Sequence, residues 1–178
     1  MKKFPDWFFN QSDWQEKTLG EVCKYISERG SCSKNNYVGT ENMLQNFDGV
    51  EFKNDGEKIF SGINYKPDDI LFSNIRPYLK KVWKANKNGC ASKDILVIRA
   101  NQEIFSGFLY YSIANDNFIS KVMISAKGTK MPRGDKNFIM DLKIKYRAWK
   151  SRKKLRSTSA VWIESLAQRI KFWKICDK

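Results

Sequence analysis

Residues 94–99 read Asp-Ile-Leu-Val-Ile-Arg, four apolar side chains in a row between charged ends. Such a near-continuous run, rich in β-branched residues, predicts a central strand buried on both faces. Two companions precede it, Asp69–Asn74 (D-I-L-F-S-N) and Lys80–Ala85 (K-K-V-W-K-A). Asn86–Gly89 (N-K-N-G) suits a hairpin turn between Lys80–Ala85 and the central strand. A last strand, Phe138–Ile144, is expected to close the sheet.

Around these strands the apolar spacing becomes helical. Thr18 and Glu21 form a T-x-x-E capping box. Leu19, Val22, Cys23 and Ile26 then follow at i, i+3, i+4 and i+7, which predicts a helix from Leu19 to about Ser27. Trp7, Phe8, Phe9 and Trp14 are expected to fold against the same core. Phe105, Phe108, Leu109 and Ile113 share one face of a second helix; Phe118, Ile119, Val122 and Met123 share one face of a third. Between Ser31 and Asp69 the chain is rich in Gly, Asn and Ser and reads as loops and short strands. The expected class is α+β: a single globular domain with one mixed or antiparallel sheet and a few helices. A hydrophobic fraction of 42% in 178 residues is enough apolar mass for its core.

Charge and residue usage narrow the function. The chain carries 33 Lys+Arg against 19 Asp+Glu, a net +14, which points to an anionic partner, nucleic acid first. Residues 146–178 hold ten of the basic and two of the acidic residues, so the tail supplies most of the excess. There is no histidine, which removes Ser-His and Cys-His catalysis and histidine-ligated metals. No apolar run approaches the ~20 residues of a membrane span. Met1-Lys2-Lys3 is not followed by a signal-peptide stretch, so a cytoplasmic protein is expected. Cys23, Cys32, Cys90 and Cys176 form no C-x-x-C pair and are expected to be reduced.

Enzyme motifs fit poorly. Asn74-Ile75-Arg76-Pro77-Tyr78 lacks the adjacent prolines of an adenine-methyltransferase N-P-P-Y, and no Gly-rich loop follows a strand to seat a cofactor. Pro67-Asp68 begins a nuclease-like pattern, but Asp141-x-Lys143 is too remote to complete it. A phosphate-binding Walker loop is missing too. No cofactor is expected.

Nucleic-acid binding is better supported. Arg76, Lys80, Lys81 and Lys84 cluster with Tyr78 and Trp83. Lys127, Lys130, Arg133 and Lys136 decorate a loop braced by Gly128, Pro132 and Gly134. Arginine there can read guanine and lysine can neutralise phosphate. Lys80 and Lys84 fit a plain solvated face equally well.

Six stretches together resemble the DNA specificity subunit of type I restriction-modification systems. They are Thr18–Val22 (T-L-G-E-V), Tyr37–Met43 (Y-V-G-T-E-N-M), Asp69–Tyr78 (D-I-L-F-S-N-I-R-P-Y), Ala91–Arg99 (A-S-K-D-I-L-V-I-R), Phe108–Ser112 (F-L-Y-Y-S) and Lys127–Asp135 (K-G-T-K-M-P-R-G-D). They keep the family's order over roughly residues 14–144. The resemblance implies a target-recognition domain, residues 1–145, that reads half of a split site in double-stranded DNA. It also implies methyltransferase and restriction subunits as partners, with no catalysis by this chain and no membrane. Arg76, Lys127, Thr129, Lys130 and Arg133 are the first candidates for DNA contact. Tyr37, Thr40, Asn42, Ser73, Asn74, Tyr78, Ser92 and Lys93 come second.

Two departures stand out. The family has a glycine just before D-I-L, where this chain has Asp68. Beyond Lys145 the match stops, and residues 146–178 form a basic tail in place of the family's helical spacer. Tyr146–Ser157 can be encoded so that a shifted frame reads S-S-L-E-V-Q-K-K-I-A-K-Y, a spacer-like helix. The tail is therefore expected to be a truncated or frameshifted remnant, partly helical over Ala160–Trp173 or simply frayed, which leaves self-association open. The alternatives are a basic domain that binds nucleic acid without sequence preference, or a metal-dependent nuclease.

Overall fold

In the computed structural model the described residues are 14–52, 58–128 and 130–147. Along them run β1 (Trp14–Thr18), α1 (Leu19–Val22), β2 (Cys23–Ile26), β3 (Arg29–Ser33), β4 (Tyr37–Val38), β5 (Ile59–Tyr65), β6 (Ile70–Ser73), β7 (Val82–Lys84), β8 (Gly89–Ala91), β9 (Ile95–Ala100), α2 (Ser106–Ile113), α3 (Asp116–Ile124), α4 (Lys136–Asp141) and β10 (Lys143–Arg147). The class is α+β.

The apolar run at 94–99 becomes β9, an inner strand of the antiparallel sheet β2–β9–β6–β7. Alternation explains why its sequence shows no polar face. Successive strand side chains point to opposite sides, so Ile70, Phe72, Leu96 and Ile98 enter one core while Leu71, Ile95 and Val97 enter another. The first core is capped by Leu109 and Ile113 of α2 and by Phe118, Ile119 and Val122 of α3. The second lies against another four-stranded sheet, β3–β5–β8–β4, and takes in Val38, Met43, Tyr65 and Ala91. Both faces are thus covered, and each large apolar side chain withdrawn there contributes about 1.5–3 kcal/mol.

The strands divide among three sheets rather than one, the third being the ribbon of β1 and β10. Several local expectations change with that division. Asn86–Gly89 does not close a hairpin onto the central strand: β7 pairs with β6, whereas β8 crosses to the second sheet and pairs with β5 and β4. The expected helix over Leu19–Ser27 is one turn long, after which the chain extends as β2 against β9. Cys23 and Ile26, three apart, would share a helix face; in the strand they reach different cores. The capping box survives, since the Glu21 carboxylate accepts from the Thr18 N–H at 2.7 Å, a bond that holds its pKa below the usual range.

The expected strand at Phe138–Ile144 is also revised. Asp135 accepts from the N–H groups of Asn137 and Phe138 at 2.9 and 3.1 Å and starts α4; pairing with β1 begins only at Lys143. Asp68 has a φ of 74°, in the left-handed region that favours glycine. The residue that replaces the expected glycine therefore keeps the glycine's backbone shape, and its carboxylate is engaged by Lys84 and Ser106. Cys32 and Cys90 are joined in a disulfide between β3 and β8, with Cα atoms 5.8 Å apart, so these two are not reduced. Cys23 is free and buried, and its thiol is pushed up to about 12 by burial. No helix of the described residues is long and apolar enough to cross a membrane. Trp7, Phe8, Phe9, the residues from 148 onward and the expected helix at Ala160–Trp173 lie outside the described residues.

Candidate nucleic-acid interface

Three separate segments meet at one end of the main sheet. The first leaves β6 at Asn74 and turns through Arg76 into a tight 3-10 turn at Pro77–Leu79. The second is the turn Ser92–Asp94 that feeds β9. The third is the loop between α3 and α4, with the expected basic residues. Backbone bonds bind them together. Arg76 N–H donates to the Pro132 carbonyl at 2.8 Å, and Asn74 N–H donates to the Asp94 carbonyl at 2.9 Å. Lys127 and Arg133 exchange two bonds, at 3.0 and 2.9 Å, and Ile75 bridges Arg133 from the other side. The loop is in effect a short extra ladder on the sheet end.

Side chains complete the seat. Asn74 is buried, and its amide Nδ2 donates to the Gly134 carbonyl at 3.2 Å. Its Oδ1 is buried and has no hydrogen-bond partner among the described residues. Ser73, also buried, donates from Oγ to the Ile75 carbonyl at 3.1 Å. Ser92 is half-buried and its Oγ accepts from the Asp94 N–H at 3.4 Å. Ser73 and Asn74 therefore shape the loops from within, with no surface of their own to present.

What the ridge presents is basic. Arg76, Lys127, Lys130 and Arg133 have exposed side chains, as do Lys93 and Tyr78. Arg76 and Lys80 both have positive φ, 49° and 56°, so the 3-10 turn sits between two left-handed residues. Lys80 is paired with Asp116 at 2.8 Å and Lys84 with Asp68, which removes both from the free cations. Arg133 Nη2 lies 3.2 Å from Asp94 Oδ1. Thr129 lies outside the described residues.

Tyr37, Thr40 and Asn42 belong to the neighbouring segment around β4 and are half-buried. Tyr37 stacks on Phe60 at 4.5 Å between ring centres. The Thr40 carbonyl accepts from Lys81 Nζ at 2.7 Å. Asn42 closes a turn: its Oδ1 accepts from Gly39 N–H and its Nδ2 donates to the Glu51 carbonyl. The Ser92 N–H bond to the Val38 carbonyl ties this segment to the same end of the sheet. Sequence reasoning did not single out Asp94 or Ile75. Asp94 opens the second of two D-I-L tripeptides, and the first begins with Asp69, whose carboxylate holds Arg99. In antiparallel β6 and β9 the two aspartates fall at opposite ends of the sheet.

Solved structures with this architecture exist. The HsdS subunit from Thermoanaerobacter tengcongensis superposes with a TM-score of 0.56 at 14% identity, over 93% of this chain and 40% of that one. A chain from a structure describing complex assembly and conformational transition of the type I R-M system gives 0.56 at 14% identity, over 91% and 40%. The fold is shared with a part of each of these two chains. The S subunit of the type I system from M. genitalium superposes at 0.50 and 14% identity, over 78% and 35%. The chain thus spans about two fifths or less of the length of these relatives. Its sequence matches no protein-family model and no curated protein.

Proposed function

We propose that residues 1–145 form a target-recognition domain that binds double-stranded DNA in a sequence-dependent way. On this reading the chain works within a type I restriction-modification complex. It catalyses nothing itself and directs methylation and restriction by partner subunits. The observation that carries the proposal is the ridge: exposed cations on backbone that hydrogen bonds fix from three directions. Exposed lysine and arginine attract any phosphate, but fixed positions let side chains select among base edges. The fold shared with specificity subunits supports the same conclusion. The pairing of β10 with β1 runs two residues past that boundary, to Tyr146 and Arg147.

Selection from randomised duplexes with the full chain, with and without Mg²⁺, tests the proposal. An enriched motif is expected in both arms. Uniform binding that follows only length and salt would leave a non-specific basic domain, and Mg²⁺-dependent loss of DNA would make the chain a nuclease.

A further inference from the structure

The four exposed arginine and lysine side chains of the loop and of Arg76 are not equivalent. Among the described residues, Arg133 alone of the four stands in a salt bridge, to Asp94. The side chains of the pair are 55% and 26% exposed, so the bridge itself adds only about 0–1 kcal/mol to stability. The Arg133 backbone is nevertheless tied to its neighbours on both sides. Arg133 is bonded through its backbone to Lys127 and bridged to Ile75, and Gly134 behind it packs on Asn74. Asp94 is fixed too, by the Asn74 bond and by the start of β9.

A neutralised guanidinium is a poor phosphate anchor, because the neighbouring carboxylate repels phosphate. A guanidinium held in place is suited to the two acceptors of a guanine edge, which carry no net charge. We infer that Arg133 reads a guanine in the major groove and that Asp94 is its positioning residue. Asp94 fixes the guanidinium and keeps it off the DNA backbone, while Arg76, Lys127 and Lys130 hold phosphates. The inference rests on the DNA-reading function proposed above.

The test compares the full wild-type chain with Asp94→Asn, Arg133→Lys and Lys127→Ala, by duplex selection and by gel-shift titration across salt. Asp94→Asn is expected to raise affinity for random duplex about 2–5-fold, lower the cognate-to-random ratio at least about fivefold, and blur one G·C position of the motif. Lys127→Ala should leave the motif intact and reduce the slope of log K against log salt by about 1. An unchanged ratio and motif for Asp94→Asn would overturn the inference, as would equal losses on cognate and random DNA, the mark of a structural role. If Asp94→Asn does not fold, Arg133→Lys, an exposed change, reports on the same base pair. A wild-type chain that selects no motif removes the DNA-reading proposal itself, an outcome distinct from failure of Asp94 alone.

Discussion

Gly134→Ala joins packing to recognition in a single methyl group. Gly134 is buried, and a Cβ on it would stand 2.8 Å from Val122 Cγ1, 3.1 Å from Asn74 Oδ1 and 3.1 Å from Ile139 Cδ1. Separations near 2.8 Å are repulsive, so something must move. Val122 lies in α3, where a valine has essentially one χ1 well, and both it and Ile139 are fully buried. The loop moves instead, and Arg133 moves with it. Overpacking of this kind costs about 1–3 kcal/mol, and at ~2–4 °C per kcal/mol the melting temperature should fall roughly 2–12 °C. Displacing a bidentate arginine forfeits up to about 1–3 kcal/mol of base discrimination, roughly a 5- to 150-fold drop in the cognate-to-random ratio. Thermal melting and competition gel shifts measure the two effects. Gly20→Ala is the control: its added Cβ meets only ordinary contacts, at 3.5 and 3.6 Å from Met140, and should be neutral or slightly stabilising. If Gly134→Ala melts with the wild type, the close packing is not real. If it melts lower yet selects the same motif, seating of the loop does not govern readout.

The remaining predictions concern what holds the domain together. Asp69→Ala strips the acceptor from Arg99 Nε and Nη2, both at 2.7 Å, and from the Lys66 N–H at 2.8 Å. Because Asp69 is almost fully buried and Arg99 is not, a loss of about 2–3 kcal/mol in urea unfolding is expected, and a loss below 1 would contradict the clamp. Reduction of Cys32–Cys90, 58 residues apart, should lower stability by up to about 4 kcal/mol on a chain-entropy basis. A melting curve indifferent to dithiothreitol would mean that the bond does not form. Asp135 has its pKa lowered by the hydrogen bonds from Phe138 and Asn137. Its share of stability is therefore present above the unfolded value of about 3.9 and is lost as pH falls below it. Asp135→Asn should flatten that acid limb, and an unchanged limb would place the dependence elsewhere.

The sequence exposed those features whose cause is local. The unbroken apolar runs within 69–74 and 94–99 and the apolar faces of α2 and α3 depend on local sequence alone, and each was readable. The segment at 19–26 was not, because Leu19, Val22, Cys23 and Ile26 satisfy a helical spacing yet serve equally as one turn and a strand. Only the pairing with β9, more than seventy residues away, decides between them. Division into three sheets was hidden for the same reason: nothing local tells β8 to leave β7 and join β5. The site divides along the same line. Its cations stand out as a charge pattern and Gly134 as a brace of their loop, while Asn74 reads as a contact rather than a buried support and Asp94 looks like an ordinary strand end. The paired D-I-L tripeptides make this concrete. Asp69 and Asp94 open the same tripeptide, and antiparallel pairing sends one to Arg99, where it closes a buried clamp, and the other to Arg133 on the exposed ridge. Identical tripeptides thus acquire a structural and a proposed recognition role through long-range topology, so motif matching finds both aspartates without telling them apart.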